Sequence, residues 1–83
     1  MDSILRSKAY KLITQFAEGE KKNIHRASRD STMTYSHAFK LVKYWETKGI
    51  LLLEKQGREQ IVSLTNNGIQ LKKNILSIMR LLR

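Results

Sequence analysis

The sequence predicts a mainly α-helical domain with a small β-hairpin, an α+β fold in the order helix, helix, helix, hairpin, helix. Three observations predict it. Apolar residues recur at three- and four-residue spacing in separate segments, as on the buried stripe of a helix. Two short apolar runs, residues 50–53 and 61–64, flank a polar stretch that contains Gly57, as in a hairpin. The chain has no proline and 4 glycines in 83 residues, which suits helices and short turns rather than disorder. One domain spans residues 1–83, with no internal repeat, linker or low-complexity stretch.

The first helix is predicted over residues 3–17. Leu5, Ala9, Leu12, Ile13 and Phe16 form its stripe, Asp2 or Ser3 can cap its start, and Gly19 follows its end. A short second helix is expected over residues 21–29, with Ile24, Ala27 and Ser28 turned inward. Asp30-Ser31-Thr32 then makes a turn. The third helix, residues 34–48, has Thr34 as N-cap, with Met33 before it as a hydrophobic staple. Ala38, Leu41, Val42 and Trp45 make its buried stripe, and Lys48-Gly49 is its stop signal. The hairpin occupies residues 50–65. A last helix, residues 67–82, carries Leu71, Ile75, Ile78, Met79 and Leu82 on one stripe, broadened by Ile69, Leu76 and Leu81. That is more apolar surface than one face of a small domain hides.

Sixteen Lys and Arg against seven Asp and Glu give a net charge of +9. Such an excess favours a polyanionic partner through counterion release and steering. It sits in residues 19–49 and 66–83, and residues 50–65 are neutral overall. The absence of cysteine excludes a disulfide scaffold and a thiolate zinc site. Arg6 and Lys8 follow the first apolar pair at once, which is unlike a signal peptide. No apolar run approaches the roughly 18 residues of a membrane span, so the expected location is the cytoplasm. His25 and His37 lie on different elements, and the acids are scattered. No metal site, cofactor, small-molecule ligand or enzymatic activity is therefore expected.

On the third helix, the side opposite the apolar stripe holds Ser36, Lys40, Lys43 and Thr47, with His37 and Tyr44 at one edge and Phe39 at the other. Hydroxyl and ammonium groups so placed can reach base-edge acceptors and phosphates in a DNA major groove. Tyr35 stands nearer the core side but in the first turn. Arg58, at the tip of the hairpin, can enter a minor groove. Lys21, Lys22 and Arg26, on and before the second helix, can hold the flanking backbone.

The element order is that of a winged helix-turn-helix, and residues 24–68 resemble the MarR-like (multiple-antibiotic-resistance regulator) group. More loosely they resemble the arsenic-repressor-like group. Three pieces carry the resemblance: Met33-Thr34-Tyr35-Ser36-His37-Ala38 as the start of a recognition helix, Trp45-Glu46-Thr47-Lys48-Gly49-Ile50 as its exit, and Gly57-Arg58 followed by Val62-Ser63-Leu64-Thr65-Asn66-Asn67-Gly68. The last piece looks like the family's wing tip and its "V-x-L-T-x-x-G". Compact chains of this pattern are familiar from archaea and their viruses. The chain departs from the group in three ways. Arg26-Ala27 stands where the second helix usually has leucine and alanine. The wing is short and uncharged overall, so its contacts rest on Arg58. Much of the long N-terminal helical region is lacking.

The resemblance implies a homodimeric regulator of transcription, a repressor rather than an activator, bound to double-stranded DNA. The last helix, through Leu71, Ile75, Ile78, Met79 and Leu82, would pair the subunits. Three other readings fit the same residues. The aromatics Tyr35, Phe39 and Tyr44 can serve a protein-interaction module. The charge can serve non-specific nucleic-acid binding. The last helix is basic and amphipathic enough to lie on an anionic membrane.

Overall fold

The computed structural model describes residues 7–82. Within them the chain runs α1 (Lys8–Thr14), β1 (Lys22–Asn23), α2 (Ile24–Asp30), α3 (Tyr35–Thr47), β2 (Leu51–Gln56), β3 (Glu59–Leu64) and α4 (Asn66–Leu81). The expected α+β class is observed. The three strands form one antiparallel sheet in the order β1-β3-β2.

α1 buries Leu12 and Ile13, with Phe16 buried just beyond its end. Leu5 and the predicted caps Asp2 and Ser3 lie outside the described residues. The helix stops short of the expected Ala17 because other partners take its last backbone groups. The Phe16 amide tightens onto the Ile13 carbonyl (3.3 Å), and the Ala17 amide donates to the Glu20 carboxylate (3.0 Å). Lys22 and Lys72 donate to the Gln15 and Phe16 carbonyls, each at 2.5 Å, where the helix dipole favours a cation.

The second helix begins later than predicted. Lys22 and Asn23 are drawn into the sheet opposite Val62 and Ile61, and Asn23 becomes the N-cap, accepting from the Arg26 amide at 2.8 Å. α2 ends in a Schellman turn. The Thr32 amide donates to the Arg29 carbonyl (3.1 Å) and the Met33 amide to the Ser28 carbonyl (3.0 Å). Such a turn needs a left-handed residue, and here it is β-branched Thr32, at φ 52°. Thr32→Gly should relieve this strain and raise stability by about 0.5 kcal/mol net of glycine's entropy cost and of the Thr32 hydroxyl's bonds with Lys11 Nζ and the Ser31 carbonyl. A rise in melting temperature of roughly 2–4 °C is the expected readout.

α3 packs Ala38, Val42 and Trp45 inward. The Trp45 indole donates to the Ala9 carbonyl (3.1 Å), and the ring meets Tyr10 edge-on at 5.7 Å, so α1 backs α3. The helix also ends in a Schellman turn, with Gly49 at φ +73° and the Ile50 amide on the Trp45 carbonyl at 2.9 Å. In the hairpin, Leu51 and Val62 are buried while Leu52 is exposed, the alternation of a one-faced sheet. Thr65 then caps α4, accepting from the Gly68 amide (3.0 Å) and donating to the Gly49 carbonyl (2.5 Å). The end of α3 is thus clasped to the start of α4.

α4 is used differently from expectation. Ile75, assigned above to a subunit interface, is 3% exposed and belongs to the chain's own core. Leu71 and Met79 pack half-buried against that core, and Ile78 is half-buried. The apolar residues left exposed are Leu76, Leu81 and Leu82. The small domain needs one face of α4 to close itself, so its stripe is divided between the interior and the surface.

Candidate nucleic-acid interface

The outer side of α3 is open to solvent from its cap onward. Thr34, Tyr35, Ser36, His37, Lys40, Lys43 and Thr47 are all exposed. Thr34 is the N-cap, its hydroxyl accepting from the His37 amide at 3.2 Å. This bond fixes the first turn, the part of a recognition helix that reaches base edges. Lys40 makes no ion pair with a described residue. Lys43 lies 3.3 Å from Glu46, an exposed pair that a phosphate can displace because such pairs contribute little. An acid, Glu46, therefore stands at the edge of this basic face. The Thr47 hydroxyl donates to the Tyr44 carbonyl (2.6 Å), which leaves it free only to accept.

The wing is short. Gln56 pairs with Glu59, so only Gly57 and Arg58 form the turn. Gly57, at φ +61°, takes the first central position, which in a two-residue hairpin turn demands positive φ. Arg58 is exposed beside it. The wing and the first turn of α3 share a cleft of about 240 Å³, lined by His25, Tyr35, Phe39, Arg58 and Gln60 among others. The fold thus brings Tyr35 and Arg58, distant in sequence, to the walls of one depression.

The overall arrangement can be compared with known structures. It matches a MarR family transcriptional regulator from Silicibacter pomeroyi with a TM-score of 0.78 at 19% identity, over 95% of this chain. A protein from Archaeoglobus fulgidus matches with a TM-score of 0.83 at 21% identity, covering 100% of this chain and 98% of that one. A DNA-binding protein from Sulfolobus solfataricus matches at 0.77 and 17% identity, over 90% of this chain and 79% of that one. The fold is a winged helix. The chain spans 60% of the length of the Silicibacter regulator. No family model matches the sequence, and no curated protein matches it.

In this winged helix, α2, its Schellman turn and α3 make the helix-turn-helix, and β2 with β3 makes the wing. Two cations named from sequence stand differently from expectation. Lys22 is not a backbone contact. Its side chain is 2% exposed, and its ammonium sits 2.8 Å from Asp30, 3.4 Å from Glu20 and 4.8 Å from the centre of the Phe16 ring. A buried ammonium with two carboxylates and a carbonyl is a structural joint, and no phosphate can approach it. Arg26 remains accessible, though Glu20 (3.9 Å) and Asp30 (3.8 Å) flank it and reduce its pull on an anion.

The joint has a pH signature. The hydrogen bond from Lys22 holds the Asp30 carboxyl below the usual carboxylate range, against some desolvation, with the charges of Lys22, Arg26 and Arg29 adding to it. Glu20 is also lowered, first by the Ala17 amide and, against desolvation, by Lys22 and Arg26. Both folded-state values lie below the unfolded ones. Their contribution to stability is complete above the unfolded carboxylate values and is lost as pH falls through the lowered folded ones. Melting curves between pH 6 and 3 should therefore show a loss of stability that is smaller in Asp30→Asn.

His25 was missed as a site residue. Its ring lies 4.5 Å from that of Tyr35, and Tyr35 in turn stacks on Phe39 with centroids 6.3 Å apart and planes at 28°. No periodicity in the sequence marks His25, because the contact joins the first turns of two helices across the bend between them. Among the described residues, no helix is long and apolar enough to cross a membrane.

Proposed function

We propose that this chain is a sequence-specific double-stranded DNA-binding protein that regulates transcription as a homodimer, more as a repressor than as an activator. The observation that carries the proposal is the uncovered outer face of α3, with Ser36, His37 and Lys40 exposed in its first turns beside a wing bearing Arg58. The similar Silicibacter and Sulfolobus proteins, a transcriptional regulator and a DNA-binding protein, point the same way. α3 enters the major groove, where Thr34, Tyr35, Ser36 and His37 meet base edges and Lys40, Lys43 and Thr47 meet the backbone or adjacent bases. Arg58 reaches the minor groove, and Arg26 holds a flanking phosphate. Leu76, Ile78, Leu81 and Leu82 of α4, with the margins of Leu71 and Met79, pack on the same helix of a second subunit. The two recognition helices then meet half-sites about one helical turn apart.

Fluorescence anisotropy with a duplex pool, repeated over a range of salt, tests this reading. Lys40, Lys43 and Arg26 from each of two subunits imply six phosphate contacts, and hence a slope of log affinity against log salt near −5. Sedimentation at the same concentrations should give twice the chain mass. A flat salt response, or no binding at low salt, would exclude the proposal.

A further inference from the structure

The outer face of α3 carries something that gripping phosphates does not require. Tyr35, Ser36, Phe39 and Lys40 line a shallow recess of about 350 Å³. Two aromatic rings supply its apolar surface, and a hydroxyl and an ammonium stand on its rim. Tyr35 is 43% exposed, yet its ring is held between His25 and Phe39. A ring fixed in this way loses little freedom on meeting a ligand. Resting on the DNA reading above, we infer that this recess receives the C5-methyl groups of thymines, and that Tyr35 and Phe39 make the recognition helix select T-bearing steps.

The chemistry of the groove leaves few occupants. Of the base edges exposed in the major groove, only thymine presents a methyl group. Cytosine presents an amino donor, which would lose water against the two ring faces, with only the Tyr35 and Ser36 hydroxyls to take it in part. The charge of the rim fits the same partner. Lys40 stands where a phosphate or a guanine acceptor follows, and Ser36 can bond either type of base edge. The recess is wider than a single methyl group, so neighbouring thymines on one strand can share it.

Duplexes selected by the full chain from a random pool provide the test. Deoxyuridine is then placed at each thymidine in turn, which removes the methyl group and keeps the base pair. We expect affinity to fall about fourfold at one or two positions in each half-site, the effect of exposing one buried methyl. The penalty should persist in Tyr35→Phe and vanish in Tyr35→Ala, which should keep its fold by circular dichroism with a small fall in melting temperature from the lost contacts with His25 and Phe39. Equal binding of all uracil-substituted duplexes would overturn the inference while leaving the DNA reading intact. A uracil penalty retained in Tyr35→Ala would do the same, since the methyl groups would then be met elsewhere. Failure to select any duplex would overturn both.

Discussion

Gly68→Ala should lower the melting temperature by roughly 10–20 °C, the reverse of what the substitution does in an open helix. Alanine is about 1 kcal/mol better than glycine at an exposed helical position. At Gly68 the added Cβ would overlap the Ile50 carbonyl oxygen, and it would stand 3.2 Å from that carbonyl's carbon and 3.1 Å from Leu64 Cδ2. The oxygen cannot swing aside freely, because it accepts the Thr65 amide at 3.1 Å where β3 passes into α4. Relief must come from shifting α4 away from the end of α3. Forced overpacking of this sort costs about 1–3 kcal/mol and occasionally more. Each kcal/mol moves a domain of this size by roughly 4–8 °C. Thermal melts followed by circular dichroism check the result. Asn67→Ala, one residue away and exposed, should change the melting temperature little.

Lys40→Glu should weaken duplex binding by about 60-fold for each subunit, on the order of 4,000-fold for the homodimer, at 0.1 M salt and leave the fold unaffected. Each phosphate contact contributes about 0.9 to the salt slope, worth roughly eightfold between 1 M and 0.1 M salt. Reversal of charge removes one contact and sets a repulsion in its place, so the factor applies about twice. Lys40 suits the experiment because it is exposed and makes no hydrogen bond or ion pair with a described residue whose loss would confuse the result. Anisotropy titrations at several salt concentrations should show a shallower slope along with the weaker affinity. An unchanged slope would place Lys40 away from the phosphates.

The parts of the fold that could be read from the sequence are those that depend on local chemistry. Thr34 caps its helix because a threonine hydroxyl reaches the amide three residues on, and the bond is present. Ala38, Val42 and Trp45 fall on one stripe through helical spacing alone. Gly57 between two apolar runs marks the wing. The misread parts depend on partners far along the chain. β1 has only two residues and no alternation to detect; it exists because Val62 and Ile61 offer their backbone to it. Lys22 reads as a surface cation, and its burial requires Asp30, Glu20 and the end of α1 to converge on it. Ile75 sits on a stripe too wide for one interior, and spacing alone does not say which of its residues the core takes. The site was legible as a helix face, whereas its aromatic backing was not, since His25 reaches Tyr35 across a bend.

The wing ends in a bare two-residue turn, and this makes it an arm that can be lengthened from its tip. The β2–β3 ladder is anchored at its base, where Leu51 faces Leu64 and Leu53 faces Val62, and neither Gly57 nor Arg58 belongs to the core cluster. New residues inserted on either side of the turn would add rungs beyond the core. Two per strand would extend the arm by about 6.6 Å. Additions in pairs keep every existing side chain on its own face, while a single added residue in each strand turns the tip over. The reach of such an arm is thus quantised, and a basic pair grafted there is the least disruptive way to alter how far along a duplex this small fold can feel.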